Sequence, residues 1–155
     1  MTSARIRLAH ALDAPALHRL HAPDTPREEW VLDPRGQHPQ ELTSVTAWEQ
    51  LLVLETGPTV WLAHRDGEAV GCARVQALGP GAVRSLQLAS LMVLSSEEDP
   101  STPEHLIELA VGDAPCVLWV PGGESRGLAL MQSHGFVADG TEEPAGSGVA
   151  VRMVR

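Results

Sequence analysis

Residues 93–106, VLSSEEDPSTPEHL, place hydroxyl, carboxylate and imidazole groups between two apolar runs. The first run has the composition of a β-strand and the second has helical spacing, so the segment predicts a strand, a loop and a helix N-terminus. α/β proteins bind phosphate at such junctions, because backbone N–H groups and the helix dipole point at the anion. Here Ser101 and Thr102 offer hydroxyl donors, and His105 offers a positive charge when protonated.

The acidic residues of the same loop oppose that use. Residues 97–99 are Glu, Glu and Asp, and the loop contains neither Arg nor Gly. Each close, exposed pair of like charges costs on the order of 1 kcal/mol. A second interpretation requires no ligand: Ser101 or Thr102 caps a helix, and Pro103 and Glu104 stand in its first turn. The residue types leave both interpretations open.

Three further ionisable side chains stand where a general acid or base is useful. Glu55 ends a predicted helix, His64 ends a predicted strand, and His134 precedes a glycine. Each position is equally usual for a surface or capping residue. His18 and His21 share a helix face, but no further ligand completes a metal set, so we expect no metal.

The elements that must position these residues follow from hydrophobic spacing and turn signals. Residues 22–39, rich in Pro, Asp and Arg, predict a loop or a short helical turn that covers a cleft. The predicted strands are 5–9, 59–64, 68–78, 83–94, 116–120, 136–138 and 148–154. Four helices are predicted. The first starts at Asp13, the second spans 42–52, the third contains the apolar stripe 106–110, and the fourth spans 125–134. The order β-α-α-β-β-β-α-β-α-β-β predicts an α/β fold, with a mixed sheet and helices on both faces.

Length and composition restrict the class of protein. A chain of 155 residues, 43% of them hydrophobic, predicts a single domain over 1–155. No apolar stretch approaches the roughly 20 residues of a membrane span, and no signal peptide pattern is present, so we expect a cytoplasmic protein without membrane contact. Cys72 and Cys116 lie in apolar segments, which predicts two buried, reduced thiols.

The charge argues against nucleic acid as a partner. Eleven basic residues against twenty acidic ones give a net charge of -9, whereas phosphate backbones need clustered Lys and Arg. Cationic or amine-bearing partners are compatible with this balance.

Several fragments resemble the GNAT superfamily of N-acetyltransferases. They are DGEAVG from Asp66, in the predicted hairpin, and LWV from Leu118, which leads to Gly135 and Phe136. The resemblance covers nearly the whole chain. It implies the GNAT fold and transfer of an acetyl group from acetyl-CoA to an amine, directly in a ternary complex.

The resemblance also implies where acetyl-CoA binds. In that family the pantetheine arm lies between the third meander strand and the next parallel strand, which diverge at their carboxyl ends and leave a V-shaped notch. The family's pyrophosphate loop, Arg/Gln-x-x-Gly-x-Gly/Ala, falls on Glu98, Ser101 and Pro103, so the length matches while the chemistry departs. The family's general-acid Tyr falls on Met131, which we predict to be core. The implied cofactor-binding residues are Leu91, Met92, Val93, Leu94, Ser101, Thr102, Glu104 and His105.

Two functions from different classes follow. One is a working N-acetyltransferase that acts on a small-molecule or peptide amine, with Glu55, His64 or His134 as candidate catalytic groups. The other is a catalytically inactive GNAT-like binding or dimerisation module with a degenerate phosphate loop. A homodimer is compatible with either.

Overall fold

The computed structural model of the chain describes residues 3–34, 42–123, 125–146 and 148–155. Its helices are α1 (Ala14–Leu20), α2 (Val45–Leu52), α3 (Thr102–Ala110) and α4 (Ser125–Ser133). Its strands are β1 (Arg5–Leu8), β2 (Arg27–Val31), β3 (Thr59–Arg65), β4 (Glu68–Ala77), β5 (Leu86–Leu94), β6 (Val117–Pro121), β7 (Val137–Ala145) and β8 (Gly148–Val154).

The eight strands form one mixed sheet in the order β1-β3-β4-β5-β6-β8-β7, with β2 paired to β5 off this path. β3, β4 and β5 form an antiparallel meander. β5 and β6 run parallel, and α3 connects them. This architecture confirms the predicted fold class.

Two hydrophobic clusters cover the two faces of the sheet. Val60 and Leu62 on β3 pack in one cluster with Trp48 of α2. Ala63 on the same strand belongs to the other cluster, which contains Leu106 of α3. Because successive strand side chains point to opposite faces, this alternation places helices on both sides, as predicted.

The hairpin between β3 and β4 also follows the prediction. Asp66 has φ 51° and Gly67 has φ 82°, and two consecutive positive φ angles are typical of the two-residue turn that an Asp-Gly pair favours. The turn sets the register that brings Arg65 opposite Glu68.

Residues 22–39 correct the sequence prediction, because the structure contains β2 at Arg27–Val31 instead of a loop or helical turn. Its sequence, REEWV, lacks the apolar alternation of a strand, so the local pattern gives no strand signal. Pairing with β5 stabilises the extended conformation. Residues 35–39 of the predicted loop lie outside the described residues.

Several element ends also differ from the prediction. α2 begins at Val45 rather than residue 42, because the Ser44 hydroxyl accepts a hydrogen bond from the Ala47 N–H at 3.1 Å. β5 begins at Leu86 rather than residue 83. β7 extends to Ala145, because β8 pairs with it through most of the segment predicted as a turn. Among the described residues, no helix is long and apolar enough to cross a membrane.

Candidate functional site

β5 and β6 diverge, as the resemblance implied. Although they lie side by side, they share a single parallel pair, Gln87 opposite Val117. A bulge in β5 contributes: consecutive residues of β4 pair with Ser90 and Leu88, so Ala89 is an extra residue on β5. A bulge of this kind bends its strand, and beyond it β5 leaves β6 and creates a wedge.

The predicted open notch is wrong, because β2 fills the wedge. β2 pairs antiparallel with the last residues of β5, from Arg27 opposite Leu94 to Val31 opposite Leu91. Unpaired backbone groups between two strands are unfavourable unless they find partners. In this conformation the chain itself supplies those partners.

Both ends of β2 extend this arrangement. Before the strand, the Pro26 carbonyl accepts a hydrogen bond from the Ser95 N–H at 3.1 Å. After the strand, the Leu32 N–H donates to the Trp119 carbonyl of β6 at 3.0 Å. The segment therefore spans the wedge from its tip on β5 to its far wall on β6.

Side chains of β2 also contact the core and α4. Val31 is 1% exposed and packs in the main core. An Arg126 guanidinium nitrogen of α4 lies 2.6 Å from a Glu28 carboxylate oxygen, and the guanidinium carbon lies 4.9 Å from the centre of the Trp30 ring. Since 61% of the Arg126 side chain is exposed, we expect the ion pair to contribute at most about 1 kcal/mol.

The loop between β5 and α3 places a carboxylate of its own at the start of α3. The Glu97 side chain is 2% exposed, and one of its oxygens lies 2.9 Å from a guanidinium nitrogen of Arg65. Its oxygens also accept hydrogen bonds from the Asp99 N–H at 3.3 Å and from the Thr102 hydroxyl at 3.4 Å. A buried internal anion thus interacts with donors at a junction where α/β proteins bind phosphate.

A second carboxylate of the loop, Asp99, accepts further hydrogen bonds. Asp99 accepts hydrogen bonds from the Ser101 hydroxyl at 2.6 Å and from the Ser101 N–H at 2.9 Å. The bond from the Ser101 hydroxyl, followed by the backbone bond, lowers the pKa of Asp99. Ser101 is the N-cap residue of α3, as predicted, but its hydroxyl donates to Asp99 and makes no capping hydrogen bond. The Thr102 hydroxyl donates to Glu97. Pro103 stands in the first turn of α3, as predicted.

These observations test whether an extended pantetheine arm and a pyrophosphate fit the site. The wedge has the right form for an extended chain, but β2 fills it, and the donors of Asp99 and Ser101 already serve carboxylates. In this conformation the groove does not fit coenzyme A. The space left beside β2 is a cleft of about 210 Å³, whose lining includes Glu98, Pro103 and Arg126.

The residues implied for cofactor binding lie around this wedge. Leu91, Met92 and Val93 are buried, and all four residues 91–94 face β2 in the pairing register. Thr102 is 1% exposed, whereas Glu104 and His105 are exposed in the first turn of α3. The wedge and the loop bring the implied residues Leu91, Met92, Val93, Leu94, Ser101, Thr102, Glu104 and His105 to one end of the sheet.

The three candidate acid–base residues lie apart from one another. Glu55 is exposed in the turn after α2, and His64 lies on β3 opposite Ala69. His134 follows α4, and its carbonyl accepts a hydrogen bond from Arg155 at 2.9 Å. None of the three lines the cleft beside β2.

The two cysteines offer no reactive thiolate. Cys72 and Cys116 are free and buried, as predicted, and burial raises the pKa of their thiols to about 12 and about 11. Met131, at the family's tyrosine position, is 0% exposed and packs in the core, as predicted. Among the described residues, no group of three or more His, Cys, Asp or Glu side chains is placed to hold a metal ion.

A second cleft, of about 340 Å³, lies at the closed end of the wedge, where β5 and β6 still pair. Its walls include Gln87 of β5, Trp119 of β6 and Arg152 of β8. Arg152 donates to the Asp139 carboxylate at 2.7 Å. The loop between β4 and β5 and Asp33, which follows β2, complete the lining of this cleft.

Sequence reasoning missed β2 and Arg126 as parts of this site. Glu28 and Arg126 are 98 residues apart in the chain, and neither stands in a motif. The acidic loop predicted unfavourable contacts with a phosphate, but its sequence did not reveal that Glu97 turns inward to Arg65.

No family model matches the sequence, and no curated protein matches it. Similar solved structures cover nearly the whole chain. A ribosomal-protein-alanine N-acetyltransferase from Brucella melitensis is 20% identical, with a TM-score of 0.71 over 97% of this chain and 98% of that one. A GNAT-family acetyltransferase from Streptococcus pneumoniae is 17% identical, with a TM-score of 0.69 over 98% of each chain.

A chain of the NatC complex, solved with Gag peptide and CoA, is 15% identical, with a TM-score of 0.68 over 99% of this chain and 98% of that one. At these identities the likeness establishes the fold.

Proposed function

The chain has the fold of the GNAT N-acetyltransferases, and from that premise we propose that it is an acetyl-CoA-dependent N-acetyltransferase for a small-molecule or peptide amine. The observation that carries this proposal is the divergence of β5 from β6 beyond the pair of Gln87 and Val117. That divergence frees one edge of β5 from β6, and an extended ligand would bind at the same edge that β2 occupies in this conformation. Fold alone does not fix function, so the proposal depends on this groove.

Acetyl-CoA supplies an activated thioester when it is bound. The acceptor amine would attack the thioester carbonyl directly, in a ternary complex: the C–N bond would form, the C–S bond would break, and the leaving thiolate would take up a proton in exchange for the one that the amine nitrogen releases. The cleft bounded by Gln87, Trp119 and Arg152 lies at the closed end of the wedge, and we assign the amine to it. Two of the similar structures are described with protein or peptide acceptors, which supports an amine of that kind.

Proton transfer has no dedicated tyrosine here, because Met131 stands at that position and is buried. Water and backbone N–H groups can serve some of these roles. Glu55, His64 and His134 are the ionisable groups proposed for the remainder, and because none of them lines the cleft assigned to the amine, each would act through water. Single substitutions Glu55→Gln, His64→Gln and His134→Gln separate them by their effects on kcat.

A second candidate is a catalytically inactive binding or dimerisation module with the same fold. The specific observation in its favour is that the chain occupies its own groove, with β2 in the wedge and Glu97 at the start of α3. Such a module keeps the sheet and loses affinity for coenzyme A.

Thermal unfolding with acetyl-CoA, combined with a thiol-release assay, separates the two candidates. A ligand at 100 times its Kd stabilises the folded state by about 2.7 kcal/mol. The enzyme proposal predicts a rise in Tm at millimolar acetyl-CoA, and free thiol released faster with a panel of amines and peptide N-termini than without. An unchanged Tm and background thiol release across the panel support the inactive module.

A further inference from the structure

We propose that β2 is an internal pseudo-ligand of the cofactor groove. The β2 backbone takes the place of an extended pantetheine arm beside β5, and the Glu28 carboxylate takes the place of a phosphate at Arg126. Coenzyme A binding therefore requires β2 to leave the wedge. This inference rests on the proposed function, because it describes how the same groove is regulated.

The backbone of β2 carries the first part of the argument. It pairs with residues 91–94 of β5 and contacts β6 through the Leu32 N–H and the Trp119 carbonyl. An extended ligand with amide groups has the same hydrogen-bonding needs as a strand. The two cannot occupy one edge of β5 together, so they compete.

The second part of the argument concerns the charge of Arg126. Arg126 lines the cleft that also contains Val93, Leu94 and Glu98, beside the start of α3. It is the one cation among the described residues that line this cleft. An oxygen of the Glu28 carboxylate lies 2.6 Å from its guanidinium. Because Glu98 stands where the resembled family has its loop arginine, Arg126 is the cation available to a phosphate once Glu28 leaves.

The composition of β2 suits a strand that can leave. Three of its five residues are charged, whereas β5 beside it is buried along nearly its whole length. The Trp30 Nε1–H is buried and donates no hydrogen bond within the described part of the chain, which is unfavourable for the filled state. The β2 pairing ladder is with β5, and β6 contributes an isolated bridge at Leu32.

A disulfide staple tests the competition directly. Arg27 and Leu94 are opposite in the register, at a Cα separation typical of antiparallel pairs, which suits a disulfide. The double variant Arg27→Cys with Leu94→Cys is oxidised, checked for the bridge by mass spectrometry, and titrated calorimetrically with coenzyme A before and after reduction. We expect the reduced form to bind at least tenfold more tightly than the oxidised form.

Three single variants test the role of charge. Glu28→Gln frees Arg126, Arg126→Gln breaks the same pair but removes the cation, and Glu29→Gln removes an equal charge from the same strand. We expect Glu28→Gln to bind coenzyme A at least fivefold more tightly than wild type and than Arg126→Gln. Glu29→Gln stays within twofold of wild type. Pantetheine, which lacks phosphate, binds Glu28→Gln and Arg126→Gln equally.

The outcomes separate this inference from the proposed function. Equal binding by the oxidised and reduced staple overturns the inference and leaves the proposed function standing. Staple-sensitive binding without acetyl transfer to any amine supports the inference and counts against the enzyme. Failure of every form, Glu28→Gln included, to bind millimolar coenzyme A overturns both. Circular dichroism of each variant verifies that the sheet is intact.

Discussion

The meander of β3, β4 and β5 and the junction of β5, β2 and β6 belong to one sheet but are built differently. The meander has antiparallel ladders along its whole length and buried apolar side chains on both faces, including Leu62 and Leu88. The junction has a short charged strand in a wedge, with Val31 as its fully buried side chain. The meander therefore specifies the fold, whereas in our proposal the junction is the part that exchanges.

The largest expected effect contrasts a buried side chain in each region. Leu62→Ala lowers the free energy of unfolding by about 3 kcal/mol, because it leaves a cavity between β3 and α2. Val31→Ala in β2 removes two buried carbons, where Leu62→Ala removes three, and lowers it by about 1.5 kcal/mol. Urea unfolding followed by circular dichroism measures both, and equal losses contradict the contrast.

The next prediction compares the stability contributed by the ion pair of the acidic loop with that of the ion pair at the junction. Arg65→Met leaves the buried Glu97 carboxylate without its cation, and breaking a buried pair costs about 3 kcal/mol of unfolding free energy. Arg126→Met breaks an exposed pair at the junction and costs at most about 1 kcal/mol. If Arg65→Met and Arg126→Met have the same midpoint of urea unfolding, the buried pair of the loop stabilises the fold no more than the exposed pair at the junction does.

A smaller effect is a pH dependence at the start of α1. The hydrogen bond and ion pair with Arg7 lower the pKa of Asp13 to about 2, so the unfolded carboxyl binds its proton first as the pH falls. The resulting stabilisation is fully present above about pH 4 and is lost as the pH falls toward 2, with a size of about 1–2 kcal/mol. Asp13→Asn removes this pH dependence in thermal unfolding between pH 5 and 2. If the stability of Asp13→Asn falls with pH as steeply as that of the wild type, Asp13 is not the source of the pH dependence.

The smallest expected effect is an absence of reaction at the two thiols. Because burial raises the pKa of Cys72 to about 12 and that of Cys116 to about 11, neither should react with a thiol reagent at pH 8 in the native state. Both should react in 6 M guanidinium chloride, which serves as the control. Rapid native labelling of Cys72 contradicts the tight packing of β4 between β3 and β5.

The parts of the fold that sequence predicts are those governed by local rules. Asp66 and Gly67 set a hairpin by backbone preference, and Met131 lies on an apolar helical stripe that packs inward. β2 escapes prediction because its extended form depends on a wedge whose walls lie more than fifty residues away. The internal anion at Glu97 escapes for the same reason, since its partner Arg65 is 32 residues distant.

The candidate site was therefore predictable in outline only. The acidic loop and Pro103 predicted a departure from the phosphate loop of the resembled family. How the chain fills the wedge depends on ion pairs between residues far apart in the sequence and on strand backbone that a bulge leaves unpaired. Neither feature has a local sequence pattern.

Amide hydrogen exchange, followed residue by residue with and without coenzyme A, tests the central claim most directly. Without ligand, we expect slow exchange at residues 27–31 and 91–94, because the two strands pair. With coenzyme A, residues 27–31 should lose protection while residues 91–94 keep theirs. Saturation with coenzyme A that leaves residues 27–31 protected contradicts the account, because β2 then does not occupy the ligand's place.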